Sequence, residues 1–421
     1  MLAGGLLRGI FFMPVNNSRK KIRFFIFAYW HDRRWKQFVG ATIKIWDLAH
    51  NLTKLGHEVV LFLPKYHFDT KDIPFRVVEV PLVDVPIVRL FSFNFLLSFY
   101  LMAFLRQKRP HVVYVRRMTS IVPLLYAKLR RTLLFYEVND DPYANIHDEG
   151  LRATFLIRSL LSVKVDEANL KASSRAFVIS PEIKKKILQW NPGIQARKLM
   201  IMHSGANTQL FRPHNKRKCR SLLRLDVARK YIGFVGTLLA HQGIDTLIDA
   251  SPLILKKESR SLFLIIGEGP MKSIWNKRIE DYGLGDFFIF SGQIDYEDVP
   301  KWIGAMDVCL APFLRSAGLR SPVKIFDYMA CEKPVVASNI KGTTDQFAGT
   351  GAIELVEPEN PEILANAIIR LLGNKEKARE MGQKGRALTL EYYDRGSIAK
   401  RIEEEVYFCT GEGFRAINKR D

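Results

Sequence analysis

The segment from Ser321 to Ser338 combines a candidate anion site with an acceptor for hydroxyl hydrogen bonds. Its pattern predicts a loop that enters a helix over 325–330 and then a buried strand over 335–337. Free backbone N–H groups and an early lysine, Lys324, favour a phosphate at the start of such a helix. One turn later, the carboxylate of Asp327 can accept hydrogen bonds from sugar hydroxyls. The segment therefore predicts a site for a phosphorylated ligand that carries hydroxyl groups.

Two glycine-containing loops precede that segment. Residues 231–235 have the pattern of a strand, and the loop from Gly236 to Gly243 leads into a helical pattern. A second strand pattern, 262–266, runs into Gly267-Glu268-Gly269-Pro270. Glycine lets the backbone approach a ligand closely, and ligands of open α/β sheets bind beyond the carboxyl ends of the strands. We therefore expect these loops to face the same ligand.

Short apolar strands alternate with helical patterns in both halves of the chain, which predicts parallel sheets covered on both faces. The predicted strands are 22–28, 58–63, 75–80, 111–115, 133–138 and 176–179 in the first half, and 231–235, 262–266, 287–291, 308–311, 335–337 and 353–355 in the second. The predicted fold class is α/β, with two doubly wound Rossmann-like domains that face each other across a cleft.

The length of 421 residues suits two domains. The predicted division is an N-terminal tail over 1–21, a first domain over 22–206, a second domain over 207–395, and a C-terminal helix with its tail over 396–421. Met13, followed by a polar run, is a natural start, so the first residues are interpreted as a mis-assigned beginning. The last helix is expected to cross back towards the first domain.

The positive charge is concentrated in the first half of the chain. Residues 1–200 hold 32 Lys and Arg against 15 Asp and Glu, a net +17 out of the total of +21. Such a surface attracts anionic lipid, nucleic acid or a phosphorylated substrate. The longest apolar run, 91–105, is too short to span a bilayer and fits either a core helix or a face that enters a membrane surface.

Four cysteines lie far apart without a Cys-x-x-Cys pair, which favours neither a zinc site nor a disulfide framework. Together with the absence of a signal-peptide pattern, this predicts a cytoplasmic protein, peripheral at the inner face of the membrane. The expected membrane partner is an anionic surface that the basic first domain contacts. No aromatic-basic ribbon or recognition helix supports nucleic acid as a partner.

The ordered motifs of the second half resemble glycosyltransferase family 4, retaining enzymes of the GT-B fold. The motifs are Gly236 to Gly243, Gly267-Glu268-Gly269-Pro270, the stretch Met306-Asp307-Val308-Cys309-Leu310-Ala311-Pro312, and the segment that begins at Ser321. The resemblance covers 231–395 strongly. It covers 22–210 more loosely, through Gly40-Ala41, Leu55-Gly56-His57-Glu58-Val59 and Ser180-Pro181-Glu182.

The resemblance implies a nucleotide-sugar site in the second domain. Asp327 falls where the family places a ligand of the ribose hydroxyls, and Lys324 where a cation meets the donor diphosphate. The other donor-binding residues that the resemblance implies are Gly40, Gly236, Thr237, Gln242, Gly267, Glu268, Gly269, Ser321 and Pro322. The donor would be a substrate, so no cofactor and no metal are expected.

In the first domain the resemblance points to the loop after strand 133–138. Relatives place an active-site histidine there, and this chain has Asn139 followed by Asp140 as its catalytic candidates. Acceptor or phosphate candidates are Glu137 and Arg116, with Arg320 from the second domain. Glu137 also fits a buried structural carboxylate, and Asp140 also fits a cap of the following segment.

Four positions depart from the family pattern: Leu319 stands for the first glutamate of a pair, Thr237 and Gln242 stand for basic residues, and Asn139 stands for the histidine. Lys324, with Arg320 or Arg315, is then the expected source of positive charge for the leaving group. The predicted function is retaining, metal-independent transfer of a sugar to a glycan or lipid-linked acceptor, in cell-surface polysaccharide or lipopolysaccharide assembly. The alternatives are a nucleotide-sugar epimerase of the GT-B fold and a non-catalytic protein that binds nucleotide-sugar or membrane.

Overall fold

The computed structural model describes residues 20–29, 40–65, 73–85, 88–143 and 153–411. Two parallel sheets organise these residues, as the alternating pattern predicts. The first sheet has seven strands in the order β3-β2-β1-β4-β5-β6-β7. Its strands are β1 Arg23–Phe27, β2 Glu58–Pro64, β3 Arg76–Val80, β4 Val112–Arg116, β5 Leu133–Val138, β6 Arg175–Val178 and β7 Leu199–Ile201.

The second sheet has six parallel strands in the order β10-β9-β8-β11-β12-β13. They are β8 Lys230–Val235, β9 Ser261–Ile266, β10 Phe288–Gly292, β11 Val308–Ala311, β12 Val335–Ser338 and β13 Glu354–Val356. In each sheet the strand order reverses next to the first strand of its domain. Ligands bind at such switch points, beyond the carboxyl ends of the strands.

Helices cover both faces of each sheet, because the strands are apolar on both sides and expose no polar face to water. The helices of the first domain are α1 Gly40–Lys54, α2 Val88–Phe104, α3 Val122–Arg130, α4 Ala153–Ala172 and α5 Pro181–Trp190. Those that follow are α6 Lys216–Leu222, α7 Ile244–Lys257, α8 Lys272–Asp281, α9 Val299–Ala305, α10 Val323–Ala330, α11 Pro361–Gly373, α12 Lys375–Tyr392 and α13 Arg395–Thr410.

The two faces of the first sheet have different covers. One core joins the sheet to α2, α3, α4 and α5, whereas α1 and α13 pack on the opposite face. Ile398, Ile402 and Val406 of α13 are buried there. The last helix therefore packs on the first domain, although it follows the second domain in the chain.

The chain changes domains at a short backbone contact. Ala206, after the first sheet, and Asp394, before α13, form an isolated parallel bridge, and the N–H of Arg395 donates to the carbonyl of Ala206. The carboxylate of Asp394 accepts from the N–H of Ser397 and caps α13. Both passages of the chain between the domains are thus held at one place.

Two expectations about local structure need correction. Gly40 and Ala41, which we expected in a loop before the helical pattern that follows them, are the first two residues of α1. The sequence reading also missed β7, whose three residues are too few to give a strand pattern. The predicted N-terminal tail lies almost wholly outside the described residues.

Candidate functional site

A cavity of about 320 Å³ lies at the carboxyl ends of the strands of the second sheet. Loops after β8, β9, β10 and β11, the start of α10, and Ile43 of the first-domain helix α1 form its wall. The predicted residues that the structure brings together around this cavity are Gly236, Thr237, Gln242, Gly267, Glu268, Arg320, Ser321, Lys324 and Asp327. Most of the predicted donor site is therefore one physical site.

Close backbone packing holds the two glycine loops in place. Gly267 has a φ of +135°, and a Cβ added to it would lie 2.1 Å from the carbonyl oxygen of Gly236. Gly269 packs closely against the same loop, because a Cβ added to it would lie 2.5 Å from the carbonyl oxygen of Leu238. Side chains at these positions would push the loops apart, so glycine is a steric requirement here.

Gly269 and Pro322 are predicted donor residues that do not line the cavity. Gly269 packs against the backbone of Leu238, and Pro322 is the buried residue that precedes α10. Both shape the wall from behind it. Gly40 is the first residue of α1, whose Ile43 reaches the cavity.

Lys324 is the cation at the centre of the wall. Its Nζ donates a hydrogen bond to Oε1 of Gln242 and lies 3.9 Å from the centroid of the Phe234 ring and 5.0 Å from that of Phe313. Burial lowers the pKa of Lys324 well below its usual value. The described residues provide no carboxylate in ion-pair contact with Lys324, so an anionic ligand would meet an uncompensated cation.

Asp327 follows Lys324 on the same helix and also lines the cavity. Its Oδ1 is buried and has no hydrogen-bond partner among the described residues. Burial raises the pKa of Asp327 to about 7, the nearby Arg395 opposes that rise, and Asp47 adds to it. A buried acceptor without a partner is costly, and a ligand hydroxyl at this position would satisfy it.

Positive charge surrounds the loop between β8 and α7. His241 lies on the cavity wall, and burial lowers its pKa to about 4, with Arg320 and Lys324 adding to the decrease. The imidazole is therefore neutral at pH 7 and can donate or accept a hydrogen bond. Sequence reasoning did not single out His241, although its place in the Gly236–Gly243 loop was a usable indication.

Three further residues of the wall were missed: Gln293, Tyr296 and Thr343. Gln293 and Tyr296 follow β10, at the sheet edge where ligands bind, so topology could have indicated them. The hydroxyl of Thr343 accepts from the N–H of Arg320 at 3.4 Å and donates to the carbonyl of Gly318. That contact joins loops far apart in the chain, and no local pattern indicates it.

The predicted first-domain residues do not line this cavity. Asp140 is ion-paired with Arg117 at 2.6 Å, and its backbone bridges to Arg320 of the second domain. Asn139 directly precedes that bridge. These two residues therefore lie at the boundary between the domains, and their catalytic role stays a prediction.

Glu137 occupies the interior of the first domain. It is 3% exposed, pairs with Lys44 at 2.5 Å, and accepts from the hydroxyl of Tyr114 at 2.8 Å. Although burial opposes ionisation, Lys44 and the buried Arg116 bring the pKa of Glu137 down to about 2. These contacts favour the structural interpretation of Glu137, and they place Arg116 beside it rather than at the cavity.

Leu319 has a packing role that its sequence position did not reveal. It lies in the second domain but packs against the core of the first domain that includes α2 to α5. A Cβ on Gly342 would lie 2.5 Å from its Cδ2. The residue that replaces a family glutamate is thus an apolar contact between the two domains.

A larger cavity, of about 510 Å³, lies at the amino ends of β1 and β2. It is at the opposite sheet edge from the loops that carry the predicted chemistry, so we assign the ligand site to the smaller cavity. Within the described part of the chain, no group of three or more His, Cys, Asp or Glu side chains could hold a metal ion.

Two family models match this chain, one over its first half and one over its second half. The model described as "Glycosyltransferase Family 4" matches residues 39–210, and the model described as "Glycosyl transferases group 1" matches residues 229–374. The first match covers most of the seven-stranded sheet, and the second covers the six-stranded sheet and most of the residues that line its cavity.

Curated relatives match over about half of this chain. A GDP-mannose-dependent alpha-(1-6)-phosphatidylinositol monomannoside mannosyltransferase of Mycobacterium tuberculosis is 26% identical over 216 residues, 50% of this chain and 56% of the relative. A poly(ribitol-phosphate) alpha-N-acetylglucosaminyltransferase of Staphylococcus aureus is 27% identical over 212 residues, 49% of this chain and 41% of the relative. The chain thus aligns with about half the length of these relatives.

Solved structures support the fold over nearly the whole chain. Sucrose-phosphate synthase from Thermosynechococcus elongatus superposes with a TM-score of 0.73 at 21% identity, over 95% of this chain and 100% of that one. Anabaena HepE in complex with UDP and glucose gives a TM-score of 0.71 at 17% identity, over 91% and 98%. The two sheets, their cleft and the two family models show that the chain belongs to the group 1 glycosyltransferases of the GT-B fold.

Proposed function

We propose that this protein transfers a glycosyl group from a nucleoside diphosphate sugar to a hydroxyl of a glycan or lipid-linked acceptor, with net retention at the anomeric carbon. The observation that carries the proposal is a pair of groups that lack partners among the described residues. Lys324 has no carboxylate in ion-pair contact there, and Oδ1 of Asp327 has no hydrogen-bond partner there. An anion with neighbouring hydroxyls, such as a ribose diphosphate, satisfies both groups at once.

The cavity suits the charge that develops during transfer. As the bond between the anomeric carbon and the diphosphate oxygen breaks, the acceptor oxygen forms the new bond and its proton passes to the departing diphosphate. Lys324 is already desolvated and fixed by Gln242 and Phe234, so it stabilises the leaving diphosphate without reorganisation. The diphosphate in turn stabilises the charged form of this lysine against the effect of burial.

The remaining wall supplies hydrogen bonds and positive charge. Arg320 and the neutral His241 stand beside Lys324, where they can contact the phosphates or the sugar. Ser321 and Thr237 offer hydroxyl groups from the two loops that flank them. These hydrogen-bonding and charged side chains take the place of the basic residues that the family pattern has at the positions of Thr237 and Gln242. In this proposal the transfer uses no metal ion.

Relatives indicate the class of acceptor. Two of them carry names that specify a phosphatidylinositol monomannoside, which is a glycolipid, and a poly(ribitol-phosphate), which is a polymer, as acceptors. By analogy, we assign this enzyme to the assembly of cell-surface glycans, at the cytoplasmic face of the membrane. In the part of the chain that the structure describes, no helix is long and apolar enough to cross a bilayer.

The test is incubation of the purified chain with a panel of nucleoside diphosphate sugars and lipid-linked or glycan acceptors, with product analysis by NMR. A new glycosidic bond with the donor's anomeric configuration, lost in Lys324→Ala, supports the proposal. Inversion, or epimerised sugar released without acceptor, contradicts it. Nucleotide binding without transfer to any acceptor in the panel would support a non-catalytic role.

A further inference from the structure

Helices α2 and α3 expose large apolar side chains on the outside of the first domain. On α2, Phe91, Phe95 and Phe99 are 63%, 63% and 49% exposed. Spacings of four residues put them on one side of the helix, with Met102 continuing the row. The opposite row is buried in the core and consists of Phe93, Leu97, Leu101 and Phe104. The helix is therefore apolar on both sides, and the outer side has no partner within the described chain.

The short helix α3 extends this surface. Ile121, Leu125 and Leu129 follow one another at intervals of four residues, and each is exposed. The two helices lie side by side on one face of the sheet. At one end, Asn94 of α2 donates a hydrogen bond to the carbonyl of Thr119, just before α3. At the other end, the guanidinium of Arg130 on α3 donates to the carbonyls of Leu105 and Gln107 after α2, both at 2.8 Å. The apolar rows of the two helices thus form one surface.

Positive charge predominates in the chain segment that carries this surface, although Arg89 at the start of α2 is ion-paired with Asp84. Between Asp84 and Glu137 the chain contains nine Lys and Arg residues and no Asp or Glu. The exposed ones after α2 and at the end of α3 are Arg106, Lys108, Arg109, Lys128 and Arg131. Apolar and aromatic rows flanked by cations are typical of elements that lie in the interface of an anionic bilayer.

We propose that this α2–α3 face, defined by Phe91, Phe95, Phe99, Met102, Leu125 and Leu129 with the flanking Lys and Arg residues, docks the protein on an anionic lipid bilayer. The aromatic row inserts among the headgroups and acyl chains, and the cations meet lipid phosphates. A second copy of the chain fits this face less well, because a two-fold contact would bring the same cations together.

The position of this face relates docking to the acceptor. Both helices begin after the carboxyl ends of their preceding strands, β3 and β4, which is the sheet edge that faces the cleft. The start of each row, Phe91 on α2 and Ile121 just before α3, is therefore the end nearer the cleft. That docking would bring a lipid-linked acceptor to the cleft rests on the proposed function. Binding to the bilayer itself does not depend on glycosyl transfer.

The test is co-sedimentation of the full chain with vesicles of phosphatidylcholine, with and without about 30 mol% phosphatidylglycerol. We expect binding to the anionic vesicles that weakens as salt is added. Phe95→Ser combined with Phe99→Ser should weaken that binding about tenfold or more. The matched control, Leu253→Ser with Ile274→Ser, changes two exposed apolar residues of the second domain and should leave binding unchanged.

A charge series completes the design. Lys108→Gln with Lys128→Gln should weaken binding to anionic vesicles, whereas Lys256→Gln with Lys257→Gln in the second domain should not. Nucleotide binding and the unfolding temperature, measured for every variant, should match those of the wild type.

Equal vesicle binding by the wild type and the Phe95/Phe99 variant would overturn the proposal, and so would no binding to anionic vesicles. A wild-type dimer that this variant dissociates would assign the face to a second copy. Transfer to a water-soluble acceptor, assayed separately, shows whether the proposed function itself has failed.

Discussion

Asp140 and Arg320 pair through their backbones in an antiparallel bridge between the two domains. Asp140 follows β5 of the first sheet, and Arg320 directly precedes the Ser321–Lys324 turn that lines the cavity. The side chain of Arg117 holds Asp140 from the first domain, while the hydroxyl of Thr343 accepts from the N–H of Arg320 in the second. The predicted acceptor loop and the predicted donor loop are therefore in direct contact.

Gly267→Ala should damage the cavity wall. The new methyl group would meet the carbonyl of Gly236, and the positive φ adds backbone strain, so we expect a loss of about 2 kcal/mol or more in the free energy of unfolding. Nucleotide affinity should fall as well, because the Gly236 loop must move. Denaturant unfolding and calorimetry measure the two effects. Gly285→Ala is the control, since no atom lies within 4 Å of its added Cβ.

Asp327→Asn should change how stability depends on pH. The pKa of Asp327 is about 7 in the folded protein and about 4 in the unfolded chain. Between these values the folded state keeps a proton that the unfolded state releases, so this group lowers the free energy of unfolding as pH rises from 4 to 7. The loss is then complete above pH 7.

The asparagine variant lacks this loss. Its free energy of unfolding, compared with that of the wild type, should therefore rise by about 2 to 4 kcal/mol from pH 4 to pH 8. Denaturant unfolding at several pH values checks the slope. The control Asp286→Asn, at an exposed carboxyl of the same domain, should keep the wild-type slope. An unchanged slope in Asp327→Asn would show that this carboxyl does not titrate near neutrality.

Asp47→Asn should destabilise the junction between the domains. Asp47 of α1 is ion-paired with Arg395 of α13, which also donates to the carbonyl of Gly205 at 3.1 Å and to the hydroxyl of Tyr296 at 3.2 Å. Both members of the ion pair are buried, so the substitution leaves a guanidinium without its carboxylate. We expect the free energy of unfolding to fall by about 3 to 5 kcal/mol.

The exposed pair of Asp298 and Lys301 provides the control for Asp47→Asn. Asp298→Asn should leave the free energy of unfolding nearly unchanged, because solvent screens that pair. Chemical denaturation of both variants measures the difference. Equal losses would contradict a special role for the buried pair at the junction.

The sequence was sufficient to predict the architecture, because buried strands and helices have regular patterns of apolar residues. Apolar strands and amphipathic helices each repeat over several residues, so all but β7 of the strands were predicted close to their observed bounds. The loops around Gly236, Gly267 and Lys324 could be placed together for the same reason: parallel strands bring their carboxyl ends to one edge.

Contacts between distant segments explain what the sequence did not reveal. Leu319 packs on the other domain, and Asp327 lies near Arg395 and Asp47, which belong to α13 and α1. Glu137 is satisfied by Lys44, 93 residues away. Such pairings depend on how the two domains and the last helix meet, and no local periodicity records that arrangement.

The central claim is that Lys324 binds the diphosphate of a nucleotide-sugar donor. The direct measurement is calorimetric titration of nucleoside diphosphates into the wild type, Lys324→Ala and the control Lys341→Ala, whose lysine is exposed in the loop after β12. We predict that Lys324→Ala weakens the affinity for the preferred diphosphate and lowers kcat/KM for transfer by about 10²-fold or more, whereas Lys341→Ala matches the wild type. Equal diphosphate affinity in all three proteins would contradict the account.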